Sequence, residues 1–312
     1  MVFDGNHLGG ESRRIYQPSV EKIALIGFGE AARAFVEGAS WADRSATYDI
    51  KVEASATREE IELAGHRANV LVCASSATAL ARASIVLSLV TADQTVAAAR
   101  EAARAIHGGT LYLDMNSVAP ATKRQAAAEI EAAGGRYVDV AVMAPVHPKR
   151  REAPLLVGGP HAEPGCDALV VLGFTNVAIA GTAIGAASAI KMIRSVMVKG
   201  IEALTAECLL AAEAAGVRDA VIASLDASWP GADWARRGDY NLDRMIVHGI
   251  RRADEMDEVV ATLDAFGTGS AMARATAERQ RAIGARRLSP PDGLDAKLAA
   301  LLGRDRTMEQ AV

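Results

Sequence analysis

Cysteine is scarce in this chain, and the three present, Cys73, Cys166 and Cys208, stand far apart with no CxxC spacing. An odd number without paired spacing argues against a disulfide framework and offers no zinc-ligand pattern, so reduced thiols and no metal are expected. Aromatic residues make up 4% of the chain, too few for the stacking platforms of a single-strand nucleic-acid binder. Charge of one sign is lacking as well. The formal net charge of −4 sets up no global positive field toward nucleic acid or an anionic membrane. No run reaches the roughly 18 apolar residues of a membrane span. Residues 1–21 carry Gly9, Gly10 and Pro18 among scattered charges but no apolar core of a signal peptide. The expectation is a flexible arm over 1–21 on a soluble, cytoplasmic protein.

What is present is aliphatic: half of the 312 residues are hydrophobic, enough for two domains with a core each. Short apolar runs at Lys22–Gly27, Ile50–Ala54, Val70–Ala74, Ile85–Val90, Thr110–Asp114 and Tyr137–Val142 read as strands. Helical segments such as Thr95–Ile106 and Thr122–Ala133 lie between them. Leu155–Gly158 and Val177–Ala180 read as two further strands. Strand alternating with helix predicts an α/β fold, a Rossmann-type doubly wound parallel sheet, over residues 22–183. From Ala186 to about Ala215 there is no proline and the apolar spacing is helical, which predicts one long helix with Gly216 near its C-cap. The remainder, punctuated by Pro230 and Gly238, predicts shorter helices, so residues 184–312 read as an all-helical C-terminal domain.

Between the first strand and the first helix stands Gly27-Phe28-Gly29-Glu30-Ala31-Ala32, a GxGxxA turn. The first glycine permits the tight turn, the second lets the backbone approach a pyrophosphate, and the helix N-terminus favours the phosphate charge. Gly27, Phe28, Gly29, Glu30 and Ala31 are therefore candidate dinucleotide contacts, with Val90 and Thr91 at the end of another strand. Taking the second strand to end near Ala54 places Ser55, Thr57 and Arg58 as a cradle for a 2′-phosphate, which favours NADP. Glu53 as a ribose-binding acid is the NAD alternative.

Asn116 and Ser117 follow a strand at the carboxyl edge of the sheet, where open α/β folds bind ligands, although the same residues before Pro120 make ordinary turns and caps. Lys191 lies in an otherwise small or apolar stretch and is either snorkelling to solvent or buried; a buried lysine poised near neutrality suits proton exchange with a carbinol oxygen. Arg244, His248, Arg251 and Arg252 share a helix face. They either hold an anionic substrate or pair with acids such as Asp254, Glu255 and Asp257. His147 sits in a proline-flanked loop and reads as structural.

Taken in order, Gly27–Ala32, Asp114–Pro120, Asp139–Pro145 and Lys191 resemble the motifs of the β-hydroxyacid dehydrogenase superfamily. The segments SAIKMIRSVMVKGIEALTAE and RMIVHGIRRADEM resemble its 6-phosphogluconate-dehydrogenase-like subgroup with a distinct C-terminal domain type. The resemblance implies an NAD(P)-dependent dehydrogenase acting on a 3-hydroxy acid or related carbinol. It makes Lys191 the general acid/base, places Asn116 where the family serine binds substrate carboxylate, and matches Ser117 to the neighbouring threonine. Met143-Ala144-Pro145 departs from the family substrate loop, and Arg194-Ser195 replaces the Asn-Asn pair after the lysine, with Ser195 in the orienting role. His248 and Arg252 complete the expected substrate contacts. Imine reduction or oxidative decarboxylation of a sugar acid on the same scaffold is the alternative within enzymes, and a non-catalytic dinucleotide sensor is the alternative outside them. A homodimer built on the second domain is expected.

Overall fold

The computed structural model describes residues 22–303; the arm expected over 1–21 lies outside the described residues. Eight strands form a single sheet among them: β1 (Lys22–Ile26), β2 (Ser45–Tyr48), β3 (Leu71–Val72), β4 (Ala83–Ser88), β5 (Leu111–Asp114), β6 (Arg136–Val142), β7 (Leu155–Gly158) and β8 (Val177–Gly181). Their order is β3-β2-β1-β4-β5-β6-β7-β8. The reversal of direction on either side of β1 makes the sheet doubly wound and puts a switch point at the carboxyl ends of β1 and β4. Pairing is parallel throughout except between β6 and β7. The β6–β7 connection contains only a short 3₁₀ turn, Arg150–Glu152, and a chain that lacks a crossover helix returns antiparallel. β1, β4 and β5 are apolar almost throughout, with Leu25, Val86, Leu87 and Leu113 fully buried, because helices cover both faces of the sheet.

The covering helices are α1 (Glu30–Val36), α2 (Ser55–Ala68), α3 (Ser76–Leu80), α4 (Thr95–Ala103), α5 (Pro120–Ala132) and α6 (Ala162–Val171). The second strand departs from the sequence reading. β2 is Ser45–Tyr48, and the apolar run read as a strand from Ile50 is a 3₁₀ turn, Ile50–Glu53, held by the Asp49 side chain accepting from the Lys51 N–H at 3.0 Å. The true strand is short, small and polar in composition. Its burial comes from pairing between β1 and β3 rather than from its own hydrophobicity.

Helix α7 (Ala186–Ala214) leads from the sheet into a helical bundle with α8 (Arg218–Ser228), α9 (Trp234–Phe266), α10 (Ala271–Gly284) and α11 (Leu294–Leu302). α9 is a single helix of 33 residues rather than the shorter pieces that Gly238 suggested. Gly238 does not end it because the residue is buried against α7: a Cβ there would meet Leu209 Cδ1 at 2.3 Å. α9 opens with the Asp233 carboxylate accepting from the Arg236 N–H and closes at Gly267, whose φ of +67° suits a left-handed C-terminus. α9 and α10 touch backbone to backbone, since a Cβ on Gly249 would lie 2.4 Å from the Gln280 carbonyl oxygen. No helix among the described residues is long and apolar enough to cross a membrane.

Candidate active site

A cavity of about 990 Å³ runs from the carboxyl ends of β1, β2 and β4 to the face of α9. Its first wall is the glycine turn. Gly27 is buried at φ +87°, and a Cβ there would strike the Leu89 carbonyl oxygen at 2.4 Å, so only glycine fits. At Gly29 a Cβ would meet nothing within 4 Å, so the backbone is open to the cavity where α1 begins. This combination of one tight glycine, one open glycine and a helix N-terminus fits a dinucleotide pyrophosphate. Glu30, Ala31, Val90 and Thr91 also line the cavity. Phe28 does not. Its ring is fully buried in the core, and its N–H donates to Asp49 Oδ2 at 2.7 Å.

The cradle expected for a 2′-phosphate is not assembled at the cavity. Because β2 ends at Tyr48, Ser55, Thr57 and Arg58 fall on the first turn of α2, away from the lining. The Thr57 hydroxyl donates to the Lys51 carbonyl at 2.6 Å and Arg58 Nε to the Val52 carbonyl at 2.7 Å. Glu53 also lies off the cavity and accepts from the Tyr48 hydroxyl. Tyr48, Asp49, Ile50 and Lys51 line it at the strand end, and the two charged ones, Asp49 and Lys51, were passed over because the sequence reading placed the strand too late.

Asn116 and Ser117 line the cavity at the end of β5. Asn116 is buried and largely committed to the scaffold: Oδ1 accepts from the Val90 N–H at 2.7 Å and Nδ2 donates to Ser88 Oγ at 3.1 Å, tying the loops after β4 and β5 together. Ser117 Oγ accepts a 2.5 Å hydrogen bond from Lys191 Nζ. Lys191 therefore stands behind Ser117 rather than in the lining itself. Burial pushes its ammonium down from 10.5 to about 8; the Glu255 carboxylate opposes this, and Lys199, Lys123 and Arg251 add to it.

The position of Lys191 is fixed from the sheet. Asp139 on β6 accepts from the N–H groups of Gly185 and Ser188, each at 3.1 Å, and so caps the first turn of α7. The fully buried Lys123 neutralises Asp139 and Asp114 at 3.4 and 3.0 Å, and the Tyr137 hydroxyl donates to Asp114. The aspartates of the two family-like segments are thus scaffold residues. From the other side, Glu258 on α9 accepts from the Ala119 N–H at 2.6 Å and the Thr122 hydroxyl at 3.1 Å, docking α9 on the start of α5.

Two expected substrate contacts, Arg252 and Ser195, are engaged elsewhere, and a third, His248, reaches the cavity. Arg252 is 7% exposed and ion-paired with Glu202 of α7, which also accepts from Gln280 Nε2 at 3.0 Å; it does not face the cavity. The Ser195 hydroxyl donates back to the Lys191 carbonyl of its own helix at 2.9 Å. His248 does line the cavity, but burial, with Arg244 and Arg251 beside it, pushes its imidazole below the ordinary 6.5, so it is neutral near pH 7 and supplies no fixed positive charge. A further residue missed is Glu255, offered in the sequence only as an ion-pair partner for the basic stripe. It lines the cavity, its Oε2 lies 2.6 Å from the buried Lys199 Nζ, and despite burial the two lysines hold its carboxyl down at about 2. Among the described residues no group of His, Cys, Asp and Glu side chains could hold a metal.

Residues 22–164 match the family described as the NAD binding domain of 6-phosphogluconate dehydrogenase, and residues 212–283 match a domain of unknown function, DUF1932. A conserved hypothetical protein from Sinorhizobium meliloti is 38% identical over 93% of this chain and 98% of its own, with a TM-score of 0.71. The 3-hydroxyisobutyrate dehydrogenase of Mycobacterium tuberculosis, solved with L-serine, is 16% identical over 90% of this chain and 99% of its own, with a TM-score of 0.68. An imine reductase variant from Myxococcus stipitatus, in complex with NAD+, is 19% identical over the same shares, with a TM-score of 0.54. The last two are likenesses of fold. No curated protein matches the sequence.

Proposed function

The chain belongs to the 6-phosphogluconate-dehydrogenase-like branch of the β-hydroxyacid dehydrogenase superfamily, and on that premise we propose that it moves a hydride between a nicotinamide dinucleotide and the carbinol carbon of a 3-hydroxy acid or related alcohol. The observation that carries this reading is the Lys191–Ser117 hydrogen bond at the wall of the same cavity that opens on Gly29. When bound, the dinucleotide supplies or accepts the hydride. Gly27 and Gly29 let the backbone approach its phosphates. Lys191 manages the proton: as ammonium it donates toward the substrate oxygen in reduction, and as amine it accepts in oxidation. Ser117, standing between Lys191 and the cavity, carries that hydrogen bond to the substrate oxygen. The arrangement of Asn116 supports a role in holding the two loops in register.

Asp49 favours NAD over NADP, because a carboxylate at the end of β2 accepts from ribose hydroxyls and repels a 2′-phosphate. Lys51 beside it supports the NADP reading, and comparing the two cofactors in Asp49→Ala decides between them. A second substrate class, an imine, is favoured by one observation: Asp254 and Glu255 face the cavity, while Arg252, one of the anion-holding candidates, is turned to Glu202 and leaves Arg251 as the arginine of that stripe in the lining. Carboxylates attract a cationic iminium and repel an anionic substrate.

The test is a turnover screen of 3-hydroxy acids, 3-oxo acids and cyclic imines with both cofactors, followed by Lys191→Met on whichever substrate reacts. The reading predicts a fall in kcat of about 10²- to 10⁴-fold with cofactor affinity retained; unchanged turnover contradicts it.

A further inference from the structure

Arg251 reaches from α9 across the cavity to the first helix of the other domain. Its Nη2 lies 3.8 Å from Oε2 of Glu30, the residue that follows Gly29, and both side chains line the cavity. The pair is loose. It is longer than a hydrogen bond, and the two side chains are 52% and 48% exposed, so it contributes little to stability on its own. The helix that presents Arg251 is fixed around it: Gly249 packs backbone to backbone on α10, Arg252 is ion-paired with Glu202, and Glu258 is docked on the start of α5. A loosely held side chain on a fixed helix can change partner without a movement of the domain. Charge points to what that partner is. Among the described residues the lining carries two permanent cations, Arg251 and Lys51, against six carboxylates, Glu30 among them. Lys51 follows β2, on the side where the adenosine ribose belongs. A pyrophosphate laid against Gly27 and Gly29 therefore meets a repelling carboxylate at Glu30, with the Arg251 guanidinium beside it to offset the charge.

We propose that Arg251 is a dinucleotide-binding residue supplied by the second domain: its guanidinium leaves Glu30 for the pyrophosphate when a dinucleotide binds, and the cofactor then ties α9 to the glycine turn. The inference rests on the dinucleotide site of the reading above and is independent of the substrate class. An arginine suits the task because its planar fork meets two phosphate oxygens at once. The exchange gives up a weak, solvent-screened ion pair and gains a charge-assisted contact. Glu30 acts in the opposite sense, as a competitor for Arg251 and a repelling charge beside the turn.

Calorimetric titration of NADH and of ADP-ribose into the full-length protein at fixed salt tests this without any substrate. Both side chains are about half exposed, so the variants are expected to fold as wild type does. Arg251→Ala is expected to weaken both ligands by about 10- to 100-fold and by the same factor, because both carry the pyrophosphate. Arg251→Lys is expected to fall between, keeping the charge without the fork. Glu30→Gln is expected to tighten both ligands by about two- to fivefold, since the competing carboxylate is gone. Opposite signs mark a ligand contact, because a pair that only braced the two domains would lose affinity in both variants. The proposal is overturned if Arg251→Ala binds NADH as wild type does, if it loses NADH but not ADP-ribose, or if Glu30→Gln weakens both; each of these leaves the dinucleotide reading standing. A wild type that binds neither ligand removes that reading, and the proposal with it.

Discussion

At Lys191 burial and three neighbouring cations push the ammonium down to about 8 while the Glu255 carboxylate resists, so on the proposed reading the protonation of one side chain controls the rate. If the amine is the base, oxidation speeds up as pH rises through about 8, where the ammonium is lost, and reduction slows over the same interval because the donor disappears. A pH–rate profile measured in both directions checks the sign; parallel profiles contradict the role. Arg252 provides a second test at this scale. It is engaged with Glu202, so Arg252→Ala is expected to leave KM unchanged while lowering stability by about 3–5 kcal/mol, the usual result of stranding one member of a buried pair. Denaturant unfolding and steady-state kinetics on the same variant separate the two. Lys191 and Ser117 were singled out in the sequence through the resemblance of their segments to the family motifs, and the structure brings the two side chains together. The engagement of Arg252 was not legible, because its partner comes from α7, fifty residues away in sequence, and neither residue's surroundings reveal the pairing. Glu255 was misread for the same reason.

Among the elements, those with an apolar run ending in glycine or a polar turn were the easiest to place, as β1 and β5 show. β2 was misplaced because Ser45 and Thr47 are buried through their neighbours although polar, while Ile50 is apolar but exposed in a 3₁₀ turn. That error alone moved the expected cofactor contacts from Asp49 and Lys51 to Ser55, Thr57 and Arg58. α9 was read as broken at Gly238 because a helical glycine looks like punctuation until its packing partner is seen. The crossing of α9 and α10 yields the prediction that belongs here. Gly249 lies against the backbone of Gln280 and Gly284 at the cavity wall, so Gly249→Ala is expected to cost about 1–3 kcal/mol through overpacking, despite alanine's better helix propensity. A thermal or denaturant scan showing stabilisation would mean that the helices separate more easily than this packing implies.

For the molecule as a whole, the sheet and the bundle are joined by a few specific ties: Asp139 on the start of α7, Glu258 on the start of α5, and the long-range Arg251–Glu30 pair at 3.8 Å across the cavity. The bundle also leaves apolar surface uncovered. Ile193, Met197 and Leu204 on α7 are each at least half exposed, and α8 buries none of its residues. Covering this surface with a second copy accounts for it, and the expectation is a dimer in sedimentation velocity that Met197→Asp dissociates; a monomeric wild type contradicts it.

The central claim, that the cavity holds a nicotinamide dinucleotide against the glycine turn, is tested most directly by calorimetric titration of NADH and NADPH into wild type and Gly29→Val. A side chain at Gly29 meets no protein atom, and its φ of −79° suits any residue, so the variant is expected to fold as wild type does and to differ only by filling the space over the turn. The account predicts that wild type binds a dinucleotide, NADH more tightly than NADPH, and that Gly29→Val loses binding of both. Equal binding by the two proteins, or none by wild type, would contradict it.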